Sequence, residues 1–397
     1  MVVPVALKAR ALMLCEPVVL ALTTAGVVVR RSGLKTIGFK DLVVSEDLPW
    51  LERGRQLIDT IDDPAIDREE SAAYLGLSMM ALTTQHGSEH ANTLYTKFGR
   101  QIFLPVGVLE RAIKSVKADL VCATNSPRAE RAAIIAAGNL GIPSLCMVDL
   151  FAVDERDWIG RKSFADKVCV LNEGVRQTLL RMDRQHDEVV VTGNPAFDRL
   201  FDPEQMHAAT QMRSKLGGGK LKILVWASHA EPSIHPWRNQ KGDPNLSDRV
   251  LKILIDYVTA TDEWILAIRP HPNESPPVLP TNEKIILTGQ DWPLAPLLHA
   301  CDAVCTMTST VGLEAHLIGK QVIQISGSIF DDAVPYVQMG VAIPASIETL
   351  PQAINSLTGR QNGGGTFNTP QKEEAASRVV VELQSLMNSY KNRLKVV

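Results

Sequence analysis

From residue 107 onward, short apolar runs alternate along the chain with segments in which apolar residues recur at helical spacing. The first series of runs predicts strands at 119–124, 143–148, 167–171 and 188–192. The segments beside them predict helices at 108–116, 127–140 and 173–182. Short, almost wholly apolar runs are typical of strands buried on both faces, and their alternation with helices predicts βαβ units around a parallel sheet.

A second series of the same kind starts after residue 220. Its predicted strands are 222–227, 264–268, 284–287, 303–307 and 321–325. Its predicted helices are 247–260, 293–300 and 312–318. Between the two series, Asn194-Pro195 opens a turn and Gly217-Gly-Gly219 ends a polar stretch. The pattern therefore predicts an α/β protein of two Rossmann-like, doubly wound domains that face each other across a cleft. In such folds, ligands bind beyond the carboxyl ends of the strands.

The predicted domain boundaries follow from this break in the pattern. An N-terminal domain covers 1–193, a linker 194–220, a C-terminal domain 221–370, and a final amphipathic helix lies within 371–397. The Gly- and Asn-rich stretch at 361–370 predicts a loop. Residues 1–105 are expected to supply the remaining strands and helices of the first domain, in an order that the pattern leaves open.

Composition and charge exclude two classes of protein. The chain has 397 residues, 45% of them apolar, and 41 basic against 44 acidic side chains give a net charge of −3. That length exceeds one ordinary core and fits two domains. A chain with so much apolar material and so little net charge is not disordered. Nor does it bind DNA by general neutralisation of phosphates, although a local basic site for one anionic ligand remains compatible with these numbers.

The cysteines and the longest apolar stretch bear on location. No two of the six cysteines form a C-x-x-C pair, and several lie inside apolar runs, so we interpret them as core residues in a reducing compartment. The stretch 11–29 contains Glu16 and Pro17, which fits neither a membrane-spanning helix nor a standard signal peptide. The expected location is the cytoplasm, including the inner face of the membrane.

The segment 302–319 is the strongest candidate for a ligand site. A strand ends near Met307, hydroxyl residues form the turn, and a helix follows, so free backbone N–H groups and the positive end of the helix point beyond the strand. Ser309 and Thr310 add hydroxyl donors for phosphate oxygens, and Glu314 lies one turn into the helix, where it could accept bonds from ribose hydroxyls. The alternative is a Ser/Thr helix cap completed by a glutamate.

Two other strand ends carry candidate catalytic or binding residues. The predicted strand 264–268 delivers Arg269 and His271 to its rim, where the arginine suits a phosphate and the histidine a leaving nucleotide. A structural ion pair and a solvent-exposed histidine are the alternatives. After the strand 222–227 come Ser228 and His229, which favour an active-site loop. His229, Glu231 and His235 lack the fixed spacing of a metal site.

In the first half of the chain, Asp149 follows the strand 143–148 and is the candidate general base. A helix cap or a surface carboxylate is the alternative. The segment 85–90 is a polar island whose His86 and His90 are candidate contacts for an acceptor, and either histidine is a second candidate for the base. The dinucleotide G-x-G-x-x-G, the Walker motif, the G-x-S-x-G elbow and H-E-x-x-H are all missing from the sequence, so hydride transfer, P-loop hydrolysis and esterase chemistry lose their usual basis.

These motifs together resemble the nucleotide-sugar enzymes of the GT-B fold. The likeness rests on Gly193-Asn-Pro, on Arg269-Pro-His-Pro, and on the run from Ser309 to Ala315 with Gly319-Lys320 downstream. It extends to bacterial surface-polysaccharide glycosyltransferases, UDP-N-acetylglucosamine 2-epimerases and CDP-glycerol glycerophosphotransferases.

The resemblance implies a role for each motif. It implies that the C-terminal domain holds a donor nucleotide and the N-terminal domain an acceptor, and that the final helix packs back on the N-terminal domain. In this interpretation Ser309, Thr310 and Gly312 hold the diphosphate and Glu314 the ribose. Arg269 and His271 would lie near the phosphates, and His229 near the reacting sugar.

Departures from the epimerases favour glycosyl transfer. The Gly-Thr-Arg-Pro-Glu type segment of those enzymes has no counterpart in this chain, an acid of theirs is replaced in the stretch 123–127, and their Ser-Gly-Gly turn reads Ser309-Thr-Val here. The expected function is a metal-independent glycosyltransferase that uses a nucleotide-sugar donor as substrate, a glycan or lipid-linked acceptor, and no cofactor. The alternatives are a 2-epimerase, a glycerophosphotransferase and a non-catalytic nucleotide-sugar-binding protein.

Overall fold

A computed structural model describes residues 1–58, 67–235, 238, 240–271, 274–289, 291–357 and 374–394. Residue contacts divide the chain into two units, one of Met1–Ala196 with Thr369–Val397 and the other of Phe197–Asn368. The chain changes unit just after the predicted turn at Asn194-Pro195. Most of the segment predicted as a linker belongs to the second unit, where it forms the helix Pro203–Lys215. The predicted loop at 361–370 lies outside the described residues.

The first unit contains two parallel sheets and most of the helices. Its helices are α1 Val2–Ala11, α2 Thr23–Arg31, α3 Leu48–Gln56, α4 Arg68–His86, α5 Ser88–Phe98, α6 Val106–Val116, α7 Ala129–Asn139, α8 Arg156–Ile159 and α9 Glu173–Leu180. Its strands are β1 Val18–Leu20, β2 Lys35–Ile37, β3 Val121–Thr124, β4 Ser144–Met147, β5 Lys167–Val170 and β6 Val189–Val191. Strands β3 to β6 lie in sequence order in one sheet, and β1 and β2 form a separate pair. The four strands predicted after residue 107 are confirmed.

A helix from the end of the chain completes the first unit. The helix Ala375–Leu394 buries Val379 and Val380 in the same apolar cluster as Val5 of α1 and Leu145 of β4. Nε of Arg378 donates to the carbonyl of Thr192 at 2.8 Å, directly after β6. Because a strand buried on both faces needs cover on each side, this helix and α1 supply the cover for one face of the four-stranded sheet. Residues 371–373 of the predicted helix lie outside the described part.

Helices α3 and α4 cross with their backbones in close contact at two glycines. A Cβ atom added to Gly54 would overlap the carbonyl of Ala72, and one added to Gly76 would overlap the carbonyl of Trp50. Only glycine permits this approach, since every other residue carries a Cβ atom. The pair of glycines therefore fixes how these two helices pack in the N-terminal region, for which the sequence pattern predicted no order.

The second unit is built on one six-stranded parallel sheet. Its strands are β7 Lys222–Ala227, β8 Trp264–Arg269, β9 Ile285–Leu287, β10 Ala303–Thr306, β11 Gln321–Ile325 and β12 Ile343–Ala345. Its helices are α10 Pro203–Lys215, α11 Leu246–Ala260, α12 Leu294–Ala300, α13 Thr310–Leu317 and α14 Leu350–Asn355. All five predicted strands are present. The edge strand β12 was missed because it is three residues long and contains Pro344, which reads as a strand breaker.

The order of the strands in this sheet locates its ligand crevice. The sheet runs β12-β11-β10-β7-β8-β9, so the first and fourth strands of the unit lie side by side. From β7 the chain builds the sheet in one direction, and from β10 in the other. Open α/β sheets bind ligands where the strand order reverses in this way, beyond the carboxyl ends of the two central strands. The residues that follow β7 and β10 therefore lie where this topology predicts a ligand.

The cysteines and the helices bear on two of the sequence-based expectations. Cys146, Cys169, Cys301 and Cys305 are buried free thiols. Burial raises the pKa of Cys301 to about 12, which keeps that thiol protonated and unreactive at neutral pH. Among the helices of the described ranges, none has both the length and the apolar content that crossing a bilayer requires.

Candidate functional site

The two central strands of the second unit each end at a side chain that contacts the other. Nε2 of His229, after β7, lies 2.7 Å from Oγ1 of Thr308, after β10. Burial lowers the pKa of His229, so its ring is neutral at pH 7 and the tautomer decides which of the two groups donates. This hydrogen bond spans the point at which the strand order reverses. The structure therefore brings the predicted His229 together with the 302–319 motif.

Ser309 caps the helix that begins at this point. Its Oγ accepts a hydrogen bond from the N–H of Val311 at 3.3 Å, and its own N–H donates to Oγ1 of Thr306 at 3.2 Å. The hydroxyl of Tyr336 donates to the carbonyl of Ser309 at 2.9 Å. Thr310 is the first helical residue and is exposed. The capping alternative thus describes Ser309, while the first turn of α13 still presents N–H groups and a positive dipole beyond the strand.

Gly312 has a packing role in α13. A Cβ atom there would lie 2.9 Å from Cγ2 of Thr306, 3.1 Å from Tyr336 and 3.3 Å from Val322. Its N–H donates to the carbonyl of Ser309 at 3.1 Å. The glycine therefore lets α13 lie close against β10 and β11. A direct contact of Gly312 with a diphosphate, which the family resemblance implied, stays a prediction with no support from these contacts.

Glu314 is buried one turn into α13 and forms an ion pair with a residue that the sequence analysis missed. Nη2 of Arg199 lies 3.4 Å from Oε2 of Glu314. Burial raises the pKa of Glu314, while Arg199 and the hydroxyl of Thr310 oppose that rise. The side chain of Arg199 is 61% exposed, so its charge faces solvent beside the helix N-terminus. Nothing in the local pattern singled out Arg199, because its segment read as a linker.

Arg269 supports a loop instead of presenting its charge. Nη1 of Arg269 donates to the carbonyl of Gly289 at 2.7 Å and to that of Trp292 at 2.5 Å. Burial lowers its pKa, and the nearby charge of Arg199 acts in the same direction. These bonds give Nη1 of Arg269 a structural role, through carbonyls and not through the ion pair that was the alternative, and its contact with a phosphate stays a prediction. Of the two arginines, Arg199 is the one that is open to an anion.

His271 is exposed beyond β8 and lies close enough to His229 for its charge to lower the pKa of that ring. The carboxylate of Glu274 accepts a hydrogen bond from the N–H of Ala230, which ties the loops after β7 and β8 together. The structure therefore brings both predicted catalytic histidines to the same edge of the sheet.

The buried Glu231 holds two neighbouring loops. Its carboxylate oxygens accept from the N–H of Asp243 at 2.7 Å and from that of Ile329 at 3.1 Å. Both oxygens are thus used within the protein, as a buried carboxylate requires. Within the ranges that the structure describes, no three His, Cys, Asp or Glu side chains are grouped so that they could hold a metal ion.

In the first unit, Asp149 follows β4 and is held by two buried asparagines. Its N–H donates to Oδ1 of Asn125 at 3.0 Å, and its carbonyl accepts from Nδ2 of Asn194 at 2.8 Å. One of its carboxylate oxygens accepts from the N–H of Leu150 at 2.7 Å. Asn125 follows β3 and Asn194 follows β6, so the amides tie three strand ends together. The backbone at Asp149 is fixed, and its exposed carboxylate can still reach a ligand.

Glu155 lies on the loop that starts at Asp149, and no pattern in the sequence pointed to it. Burial raises the pKa of Glu155 to about 7, and the negative charge of Asp149 adds to the rise. A carboxyl group with that pKa is partly protonated at neutral pH and can both take and give a proton. In the sequence, Asp154-Glu-Arg156 looks like a solvated charged run. Only the fold shows that its middle residue is half-buried.

His86 and His90 form a separate group on the first unit. They lie on either side of Gly87, the residue between α4 and α5, and their ring centroids are 5.6 Å apart. Both side chains are exposed. The structure brings the two histidines to each other at this helix corner, and their predicted contact with an acceptor stays a prediction.

Comparisons with known proteins bear on the fold and on part of the sequence. A family model described as capsule polysaccharide biosynthesis protein matches residues 276–333, a range that includes α13. Among solved structures, the S. aureus MnaA–UDP co-structure has a TM-score of 0.60 and 15% identity over 97% of this chain and 93% of that one. A search of curated proteins finds no match.

Two further structures have nearly the same similarity. The Methanocaldococcus jannaschii UDP-GlcNAc 2-epimerase in complex with UDP-GlcNAc and UDP has a TM-score of 0.53 and 13% identity, over 93% of this chain and 99% of that one. The UDP-N-acetylglucosamine 2-epimerase from Rickettsia bellii has a TM-score of 0.53 and 14% identity, over 79% and 93%. At such low identity these matches establish the fold. The α/β fold class and the resemblance to nucleotide-sugar enzymes are confirmed at that level.

Proposed function

We propose that this protein is a glycosyltransferase that moves a sugar from a nucleotide-sugar donor to a surface-glycan or related acceptor, without a cofactor or an obligatory metal. The observation that carries the proposal is the His229–Thr308 contact across the strand-order reversal, next to the N-terminus of α13. This is where a parallel sheet of this topology binds a nucleotide. The match of residues 276–333 to capsule polysaccharide biosynthesis proteins supports the choice of pathway.

In the proposed donor complex, each part of the site has a task. The N–H groups and the dipole of α13 hold the diphosphate, and Arg199 adds a positive charge that stabilises the departing nucleotide. Glu314 accepts bonds from the ribose hydroxyls once Arg199 turns from the carboxylate to the phosphates. The neutral His229 and the exposed His271 lie near the transferred sugar, where an imidazole can donate a hydrogen bond.

The proposed acceptor half of the reaction belongs to the first unit. A hydroxyl that attacks the sugar must lose its proton, and a base works best when its pKa is close to the working pH. Glu155, with a pKa of about 7, meets that condition, and Asp149 lies on the same loop. We propose Glu155 as the base, with a pKa raised by burial and further by Asp149, and His86 and His90 as acceptor contacts elsewhere on the surface.

We expect the substitution Glu314→Gln to weaken nucleotide binding by about 10- to 100-fold, because a hydrogen bond to a charged group contributes about 1.5–3 kcal/mol. The measurement is a thermal-shift titration with UDP, GDP, CDP, CMP and dTDP, in which the bound nucleotide raises the melting temperature. Glu263→Gln is the matched control, since Glu263 is exposed and precedes β8 at the opposite edge of the sheet. Equal affinities of wild type and Glu314→Gln would contradict the ribose assignment.

Epimerisation is the second candidate, and one observation favours it. A carboxyl group that titrates near pH 7 can remove a proton from a sugar carbon and return it as readily as it can activate an acceptor. Incubation with UDP-N-acetylglucosamine alone, in D₂O, separates the two functions. Formation of the manno epimer with deuterium at the changed carbon would establish epimerisation. A CDP-glycerol glycerophosphotransferase would turn over CDP-glycerol only, and a binding protein would bind nucleotide without any turnover.

We further propose that the protein works at the cytoplasmic face of a membrane, through an exposed corner of the first unit. Leu12 and Met13 follow α1 with 60% and 92% of their surface exposed. Nη1 of Arg10 donates to the carbonyl of Gly33 at 2.7 Å, which brings the exposed Arg30 and Arg31 of α2 to the same corner. Apolar side chains beside arginines suit the surface of an anionic bilayer. This corner is locally basic, although the whole chain has a net charge of −3.

The double substitution Leu12→Ser with Met13→Ser is expected to lower sedimentation with vesicles of phosphatidylcholine and phosphatidylglycerol at least 10-fold, because each buried apolar side chain contributes about 1.5–3 kcal/mol. Added salt should weaken wild-type binding, since it screens the arginines. Val278→Ser, at a fully exposed position of the second unit, should bind as the wild type does. Undiminished binding of the double variant would exclude this corner.

A further inference from the structure

Arg131 of α7 is a half-buried cation that forms no ion pair with a carboxylate of the described residues. Its guanidinium carbon lies over the ring of Trp158, 4.7 Å from the ring centre, which is a cation–π contact. Within the described residues, Nε of Arg131 and Nε1 of Trp158 are buried and have no hydrogen-bond partner. Buried donors are nearly always paired, and each unpaired one costs free energy. Both of these atoms are closed to solvent, whereas Nη1 and Nη2 of Arg131 are outside that buried set and donate to no described residue, so they are the donors that a ligand can reach.

The positive charge near Arg131 also favours the binding of an anion. Burial lowers its pKa, and the second cause is another cation, Arg161. Nε of Arg161 donates to the carbonyl of Asp157 at 2.8 Å, which leaves the other nitrogens of that exposed guanidinium for a ligand. Two guanidinium groups that repel each other, and that share no carboxylate within the part of the chain that the structure describes, form a site that an anion would stabilise.

This pair lies on the segments that carry the proposed base. The N–H of Arg131 donates to the carbonyl of Ser126 at 3.1 Å, one residue after the Asn125 that holds Asp149. Trp158 follows Glu155 by three residues on the loop and helix that start at Asp149. The contact of Arg131 with Trp158 thus ties the start of α7 to that loop. The two arginines and Glu155 therefore lie on connected segments of the first unit.

We propose that Arg131 and Arg161 bind an anionic oxoacid group of the acceptor, a carboxylate or a phosphate, while its hydroxyl meets Glu155. The acceptor is therefore a sugar acid or a phosphorylated compound, not a neutral glycan. This inference rests on the proposed glycosyl transfer for the word acceptor, but the anion site itself stands on the contacts of the two arginines. Arginine suits the task, because its planar fork matches both groups with two parallel hydrogen bonds.

Calorimetric titration of the full chain with inorganic phosphate, with glucuronate and with glucose tests the site. We expect Arg131→Gln and Arg161→Gln to weaken binding of an anion at least 10-fold. The affinity of Arg131→Lys should lie between those of these variants and the wild type. Glucose should bind measurably to none of the proteins. Phosphate that binds at α13 is the same in every variant, so the difference reports on the arginines. If the substitutions weaken binding of phosphate alone, the acceptor is a phosphorylated compound. If they weaken binding of glucuronate alone, the acceptor is a sugar acid.

Arg156→Gln is the matched control, because Arg156 is an exposed arginine on α8 between Glu155 and Trp158. It should bind the anions as the wild type does. Equal binding of both anions by wild type and Arg131→Gln would overturn the inference, as would the absence of anion binding by the wild type. The nucleotide titration is run on the same variants. If nucleotides bind but anion binding does not depend on the arginines, this site alone is refuted. If the wild type binds no nucleotide, the proposed function is refuted instead.

Discussion

The substitution Glu155→Gln is expected to stabilise the protein at pH 8 by about 2 kcal/mol and to leave its stability unchanged near pH 4. The pKa of Glu155 rises from 4.5 to about 7 in the folded state, so folding favours the neutral carboxyl. A carboxyl of this kind makes its full contribution below the unfolded pKa and loses it as the pH rises through the folded pKa. The full shift corresponds to about 3.4 kcal/mol, and partial exposure of the side chain reduces it.

Urea unfolding of wild type and variant between pH 4 and pH 8 measures this effect. Glutamine cannot ionise, so the wild-type loss of stability between about pH 4.5 and pH 7, which is complete by pH 8, should disappear in Glu155→Gln. Asp149→Asn removes a charge that raises the Glu155 pKa and should move the same loss to lower pH. Glu89→Gln, an exposed change on α5, is the control. Parallel pH profiles of wild type and Glu155→Gln would show that Glu155 keeps an ordinary pKa.

The same substitution tests the proposed role of Glu155 as the base. Removing a general base lowers turnover by about 10²- to 10⁴-fold. A variant that is more stable at pH 8 but much less active would show that the protein keeps a destabilising carboxyl for its chemistry. A Glu155→Gln enzyme with wild-type turnover would place the base elsewhere, with Asp149 as the next candidate.

The second large effect is expected from Gly76→Ala, which should lower the free energy of unfolding by about 3 kcal/mol. Alanine favours a helix over glycine by up to about 1 kcal/mol, so propensity alone predicts the opposite sign. The added methyl would overlap the carbonyl of Trp50, and because the obstacle is backbone, only separation of α3 and α4 relieves it. Urea unfolding of the full chain measures the difference.

Gly138→Ala is the control for that experiment. Gly138 is also a helical glycine, near the end of α7, but it is exposed and an added Cβ atom has nothing within 4 Å. We expect this change to stabilise the protein by about 0.5 kcal/mol through helix propensity and a less flexible unfolded chain. Loss of stability in Gly138→Ala, or a gain in Gly76→Ala, would show that helix crossing does not decide these positions.

Much of the fold was predictable from the pattern of apolar residues. Strand β7 at Lys222–Ala227 and strand β11 at Gln321–Ile325 have the predicted bounds, because a central parallel strand is apolar on both faces and its ends are marked by polar residues. The first hundred residues were not predictable in the same way. Helix α4 buries residues nearly all around its axis and so lacks a clear apolar stripe, and β1 and β2 are only three residues long.

The candidate site was predictable only in part. Polar residues that follow buried strands, such as His229 and Asp149, were identified because parallel strands place their carboxyl ends at one edge. Arg199 and Glu155 were missed, since neither follows a strand and their importance depends on burial or on a partner distant in sequence. Arg269 was assigned to phosphate because its residue type suits that ligand; the loop at Gly289 and Trp292 uses its Nη1, and the phosphate contact stays a prediction.

By itself, the sequence determined the class of fold, the order of strands along the chain and the strand ends where ligands bind, because these follow from which residues must leave water. The tertiary structure decided which of the polar residues at those ends remain open to a ligand. Burial and neighbouring charges set the pKa of Glu155, pair Glu314 with Arg199, and bring the charge of Arg161 close to Arg131. Such effects depend on groups that are close in space but distant in sequence, and local pattern does not encode them.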